Sequence, residues 1–198
     1  MKQEYINFIT ESNRIENIDI PKKDFRKCLQ EGTPEIKGQV DALLYAELIK
    51  YPLNIEDVKN VHYLLMRNNE KTKYFDAKKD AGKYRKCFVR VGSSVKIPPK
   101  EVSAKVKTFC KKFNAKEDPL KTHYYFECVH PFVDGNGRTG RLLLWAQQRL
   151  QGLPQNIILF KDRQKYYNKI REYELMLGLE NNPDKTAKEI FELLKYTI

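Results

Sequence analysis

The sequence predicts an all-α domain, a helical bundle interrupted by one short β-hairpin. Three observations point there. Apolar residues recur at intervals of three and four through most of the chain. A single stretch, KCFVRVGSSVKIPP (86–99), alternates with period two around a GSS turn. With 198 residues, 41% of them hydrophobic and 12% aromatic, there is enough apolar material for one sizeable core.

The elements follow in order. EYINFITESNRIENI (4–18) places Tyr5, Phe8, Ile9 and Ile15 at near-helical spacing. The second helix is signposted by Gly32, by Thr33 as N-cap and by Pro34 at its first position. Its apolar stripe is read as Ile36, Val40, Leu43, Leu44 and Leu48, and Pro52 stops it. Asn54 can cap the third helix, whose buried stripe is Val58, Val61, Leu64 and Leu65. In the hairpin, Val89, Arg90 and Val91 run up to Gly92 and Ser93, and Val95 and Ile97 return before two prolines. A lone hairpin is marginal in water, so it must lie against something or serve as an edge. Helical spacing resumes in KEVSAKVKTFCKKF, LKTHYYFECV, GRLLLWAQQRLQ and KDRQKYYNKIREYELMLGL, and last in PDKTAKEIFELLKYTI. The expected organisation is an N-terminal segment (1–31), a core (32–182) and a C-terminal helix (183–198).

Composition narrows the function classes. No apolar run approaches the roughly 18 residues of a membrane span, and MKQEYINFITE lacks the pattern of a secretion signal. Cys28, Cys87, Cys110 and Cys128 are far apart without a CxxC pair, so reduced thiols in a cytoplasmic protein are expected. The net charge of +11 suits acidic partners, yet the lysines are interspersed with acids and read equally as a solvated surface. A static nucleic-acid-binding module is the competing class. No helix-turn-helix glycine pattern, zinc finger or aromatic sheet motif supports it, so nucleic acid is not the expected partner.

The chemistry concentrates in HPFVDGNGRTGR (130–141). Gly135 and Gly137 permit a backbone whose N–H groups converge on one concavity, and that concavity opens a helix. A helix N-terminus carries unpaired N–H groups and partial positive charge, which makes it an anion site. Arg138 and Arg141, three apart, can both project to the same end, and two guanidinium groups there are unfavourable unless an anion joins them. Asp134 is a carboxylate of the kind that holds Mg²⁺ beside substrate phosphates. His130 can take a proton near neutral pH. A base, a metal carboxylate, a backbone cradle and arginine clamps together match phosphoryl-type transfer. His62 and His123, lying within helical faces, are read as structural.

These residues resemble the Fic family motif, HPFx(D/E)GN(G/K)RxxR, with every specified position filled. AGKYRKCFVRVGSSVKIPP, THYYFEC and YYNKI are also similar to the family, so the likeness spans about residues 40–180. It implies a Fic-type helical bundle whose hairpin is a flap, and a protein adenylyltransferase with ATP and Mg²⁺. On the same resemblance a Ser, Thr or Tyr hydroxyl of a protein, this one or another, attacks the α-phosphate. On that reading His130 takes the proton, Asp134 holds the metal, and Gly135, Asn136, Gly137, Arg138 and Arg141 bind phosphates. Tyr166, Tyr167 and Asn168 border the adenine, and the flap pairs with the target by strand addition. The retained GNGR favours AMP transfer over the family's phosphorylating branch. The reverse reaction, removal of AMP, uses the same site.

SNRIEN (12–17) is similar to the family's inhibitory helix pattern, (S/T)xxxE(G/N), through Ser12, Glu16 and Asn17. Ser12 and Glu16 are four apart and share one helical face. The resemblance implies that Glu16 pairs with Arg141 where the γ-phosphate belongs. Such a contact could act within one chain or between the subunits of a homo-oligomer.

Overall fold

The computed structural model describes residues 1–18, 27, 33–92 and 94–179 of the chain. Among them are eight α-helices: α1 (Gln3–Ile15), α2 (Pro34–Leu48), α3 (Ile55–Met66), α4 (Ala77–Asp80), α5 (Pro99–Asn114), α6 (Pro119–Val129), α7 (Asn136–Leu150) and α8 (Arg163–Met176). One antiparallel ribbon, β1 (Arg90–Val91) and β2 (Ser94–Val95), pairs Arg90 with Val95 and Val91 with Ser94. A 3₁₀ turn at Phe160–Asp162 leads into α8. The fold class is as expected from the sequence. Gly32, Ser93 and the C-terminal helix of 183–198 lie outside the described residues.

Helix α7 is the axis. It packs against α1, α2, α3 and α6, so that nearly every residue from Asn136 to Gln148 is buried. Its apolar middle, Leu142, Leu143, Trp145 and Ala146, joins Val58, Val61, Phe109, Phe126 and Phe132 in one core. Its polar first turns are also buried, which polar residues accept only where they have partners or a function.

Capping chemistry explains where α3 starts. The Asn54 carboxamide accepts from the N–H groups of Glu56 and Asp57, and the Asp57 carboxylate accepts from the Asn54 N–H, a complete capping box. Thr33 does sit at the N-cap of α2, but its side chain makes no capping hydrogen bond, so Pro34 alone carries that signal. The α2 stripe differs from the expected one. Ile36, Gly38, Gln39, Ala42, Leu43 and Ala46 face inward, whereas Leu44 and Leu48 are exposed. Small residues turn inward because α2 lies close on α3: a Cβ on Gly38 would stand 2.9 Å from the Leu64 carbonyl oxygen.

Helix α1 is part of this core. Tyr5 and Phe8 meet the Trp145 ring edge-on at 5.9 and 5.0 Å, and Ile6, Ile9 and Ile15 are fully buried. At roughly 1.5–3 kcal/mol per buried large side chain, this apolar contact dominates the docking of α1.

Candidate active site

The loop between α6 and α7 is shaped by two left-handed residues. His130 ends α6 at φ 49° and Gly135 precedes α7 at φ 72°. A histidine seldom adopts that conformation, so the surroundings must hold it there. Arg85 does so. Its buried guanidinium donates to the carbonyls of His130 (2.8 Å), Cys87 (2.9 Å) and Ile97 (2.6 Å), and its own N–H donates to the Pro131 carbonyl. One side chain thus ties the loop after α6 to both ends of the hairpin.

His62 props the loop from the other side. Its Nδ1 accepts from the Gly82 N–H at 2.9 Å, so Nε2 carries the proton and donates to the Asp134 carbonyl at 3.0 Å. The imidazole also stacks on Phe132 at 3.7 Å between ring centres. Burial pushes its pKa down to about 3, consistent with a permanently neutral prop. Asn136 closes the loop on itself: its carboxamide accepts from the Phe132 N–H and donates to the Phe132 carbonyl. The side chain is therefore committed to the loop, and only the backbone of Asn136 is left for the cradle.

Inside this frame lie two neighbouring concavities that share Glu16, His130 and Gly137 in their walls. A cavity of about 290 Å³ is lined by His130, Asp134, Gly135, Asn136, Gly137, Arg138 and Glu16. Beside it a larger one, about 500 Å³, runs between His130, Gly137 and Arg141, the hairpin residues Val91, Gly92, Ser94 and Lys96, and Tyr166, Tyr167 and Asn168 on α8. The proposed base, phosphate cradle, flap and adenine wall thus share one surface.

Burial, then the charges of Lys96 and Arg85, push the His130 pKa down to about 3, while a hydrogen bond to the Glu127 backbone carbonyl opposes this. The ring is neutral at pH 7, with one nitrogen held and the other available as a base. Both arginines keep a buried nitrogen without an acceptor in hydrogen-bonding geometry, Nε of Arg138 and Nη1 of Arg141. Guanidinium nitrogens with spare donor capacity beside a helix N-terminus suit an anionic ligand. The Asp134 carboxylate is half exposed, accepts from the Gly135 N–H, and lies 3.8 Å from Arg138. Among the described residues no group of three or more potential ligands gathers to hold a metal ion. A single open carboxylate fits Mg²⁺ that takes its remaining ligands from nucleotide phosphates and water.

Arg141 has further partners on α1. Its Nε donates to the Ser12 hydroxyl and Nη2 to the Ser12 carbonyl, both at 2.9 Å, and Nη2 also meets the Glu16 carboxylate at 2.7 Å. Burial disfavours its charge, but Tyr166, Glu16 and Glu127 together hold its pKa above the ordinary value. The Glu16 carboxylate lies directly over Gly137, where any Cβ would collide with it. Asn17 sits just beyond, at positive φ, and accepts from Arg163 at 2.6 Å.

Of the adenine-wall residues, Tyr166 is buried and its hydroxyl meets His123 Nε2 at 2.9 Å, so it serves the core as well as the cavity. Tyr167 donates to the Ile15 carbonyl of α1, and Asn168 pairs with Gln164 on the exposed side of α8. In the flap, Val95 and Ile97 are buried and Val91 is exposed, while Val89 contributes its carbonyl to the Lys96 N–H. The hairpin is shorter than the alternation suggested, two residues per strand.

A helical bundle whose central helix opens on a glycine-containing loop, with a short hairpin beside it, defines a fold of the Fic type. Residues 52–147 match the family model described as Fic/DOC family, and the chain carries a Fic/DOC domain. Its sequence is 28% identical over 194 residues to the protein adenylyltransferase Fic of Nematostella vectensis, covering 87% of this chain and 44% of that one. It is 30% identical over 145 residues to the protein adenylyltransferase Fic of Drosophila melanogaster, with 68% and 28% covered. The chain therefore spans less than half the length of these relatives. A fragment of Fic-1 from Caenorhabditis elegans superposes at TM-score 0.73 and 22% identity, covering 100% of this chain and 66% of that one. A Fic-domain-containing signaling protein from Bacteroides thetaiotaomicron superposes at TM-score 0.70 and 20% identity, covering 84% and 70%. At such identities these two likenesses show the fold.

Sequence reasoning passed over Arg85, Lys96, Glu127 and Glu174. Arg85 lies within the AGKYRKCFVRVGSSVKIPP stretch that resembles the family, but a lone charged residue carries no signal of burial. Glu127 is enclosed between His123 and Arg141, and burial pushes its pKa up to about 7.

Proposed function

We propose that this protein transfers AMP from ATP to a hydroxyl side chain of a protein, and that it is held back at rest by Glu16. The observation that carries the proposal is the contact of Arg141 with Glu16 at 2.7 Å, at the mouth of a cradle shared with His130. Catalysis and restraint meet on one guanidinium group.

In the proposed reaction the target hydroxyl oxygen forms a bond to the α-phosphorus. The bond from that phosphorus to the bridging oxygen breaks, and pyrophosphate departs with its electron pair. The neutral His130 accepts the hydroxyl proton, its orientation set by the Glu127 carbonyl and the left-handed backbone that Arg85 maintains. The N–H groups at the start of α7, together with Arg138 and Arg141, hold the phosphate charge. Asp134 is the residue that would hold Mg²⁺, which neutralises phosphate charge when bound.

Restraint follows from occupancy. Glu16 takes a guanidinium nitrogen and the space above Gly137 that a terminal phosphate needs. Because the apolar face of α1 docks the helix far more strongly than Glu16 does, relief requires only that the carboxylate swing aside. Removal of AMP is the second reading. It draws on Glu16 lining both cavities with His130, where a carboxylate could orient water.

The test is incubation with ATP labelled at the α-phosphate, and Mg²⁺. Protein-bound label should appear with Glu16→Gly and be lost when His130→Ala is added. Label at the γ position that stays on protein would instead indicate phosphoryl transfer. Absence of any label from Glu16→Gly, with ATP bound, would refute AMP transfer.

A further inference from the structure

The hairpin that roofs the site has two ladder pairs, Arg90 with Val95 and Val91 with Ser94, and one more hydrogen bond from the Lys96 N–H to the Val89 carbonyl. So small a ribbon does not hold its own position in water. Arg85 secures its base. Its arm is secured by Glu174 on the last turns of α8: one carboxylate oxygen accepts from the Ser94 hydroxyl at 2.9 Å and from the Lys96 ammonium at 2.8 Å. The side chains of Lys96 and Glu174 are only 4% and 3% exposed.

A fully buried ion pair is a poor device for stability, because desolvation consumes most of the attraction, and two apolar side chains would serve as well. What it provides is direction. A carboxylate oxygen that must accept from both groups fixes the distance and the rotation of β2 relative to α8. Both partners line the large cavity, together with His130 and Arg141. The pair therefore joins the wall carrying Tyr166 and Tyr167 to the strand ribbon opposite it.

We infer that Glu174 is a positioning residue: through Ser94 and Lys96 it sets the flap at the height and register that place a docked target hydroxyl at the nucleotide. The docking role rests on the proposed AMP transfer, whereas the anchor itself does not.

The test uses the full chain carrying Glu16→Gly, with Glu174→Ala and Glu174→Gln added separately. Hydrogen exchange at the Lys96 amide and the kinetics of self-labelling with ATP and Mg²⁺ are measured. Glu174→Ala should speed exchange at Lys96 at least tenfold while α5 and α6 are unchanged. It should lower kcat for labelling at least tenfold while leaving KM for ATP within threefold. Glu174→Gln, which keeps an acceptor for Ser94 and Lys96, should recover a substantial part of both. Unchanged exchange at Lys96 overturns the anchor, and equal acceleration through α5 and α6 reduces Glu174 to core packing. A raised KM for ATP at constant kcat overturns the flap role and assigns Glu174 to the nucleotide. If the parent takes no label at all, AMP transfer fails, and the exchange data still decide the anchor.

Discussion

Replacing Glu16 isolates the proposed restraint from the rest of the site. The carboxylate makes one charge-assisted contact of 2.7 Å to a guanidinium whose side chain is 3% exposed, and is itself 32% exposed. Such a contact contributes about 1.5–3 kcal/mol, which corresponds to roughly a tenfold to hundredfold change in the population of the blocked site. Glu16→Gln keeps the volume and an acceptor but removes the charge, and Glu16→Gly removes both. Labelling rates with ATP should therefore rise in the order wild type, Glu16→Gln, Glu16→Gly, with the last about tenfold or more above the first. Helix α1 remains docked by Tyr5, Ile6, Phe8 and Ile9, so the melting temperature of Glu16→Gly should fall by no more than a few degrees. Arg141→Ala on top of Glu16→Gly should abolish the gain, since in the proposed reaction the released guanidinium engages the phosphates. Equal labelling by wild type and Glu16→Gly refutes the lock. A gain accompanied by a large loss of stability refutes the idea that only the carboxylate moves.

Further expectations concern the frame. Arg85→Met should lower stability by about 3 kcal/mol, since the buried carbonyl of Ile97 and the partly buried carbonyls of His130 and Cys87 lose a charged donor; thermal melting and exchange at residues 94–97 report it. Gly137→Ala places a methyl group on the Glu16 carboxylate and 3.0 Å from Arg141, so ATP binding by calorimetry should be lost even when Glu16 is glycine. Acid should destabilise the fold. The pKa values of His62, His123 and His130 are all pushed down to about 3 by burial, so each takes up its proton in the unfolded chain first, and stability falls between about pH 6.5 and 3. From pH 7 to 5 the three together lose about 6 kcal/mol. Glu127, whose folded pKa is raised to about 7, opposes them by about 2 kcal/mol over the same interval, because the folded state takes up its proton first. Denaturant midpoints should thus show a net loss of about 4 kcal/mol, growing to about 6 in Glu127→Gln.

Local chemistry made much of this legible in one dimension. The α3 start was written in Asn54 and Asp57, because a capping box is a contact across three residues. The cradle was legible for the same reason: His130 to Arg141 is twelve consecutive residues whose glycines and charges act within two turns. Where a reading needed distant neighbours it was partial. Leu44 and Leu48 fit the helical period, yet Gly38, Gln39 and Ala46 face α3 and the core, since close approach of two helices selects small residues over apolar ones.

By itself the sequence determined the helices, the hairpin and the types of group at the start of α7, all consequences of spacing within a few residues. Tertiary structure alone decided which side chains those groups would meet. It joined Lys96 to Glu174 across 78 residues and set Arg85 against His130 across 45, whereas the meeting of Glu16 and Arg141 across 125 was expected through the family resemblance and not from local spacing. The physical reason is burial. A charged residue reads as solvent-facing in a sequence, and only the closing of the core around it forces it to find a partner and gives that partner a role.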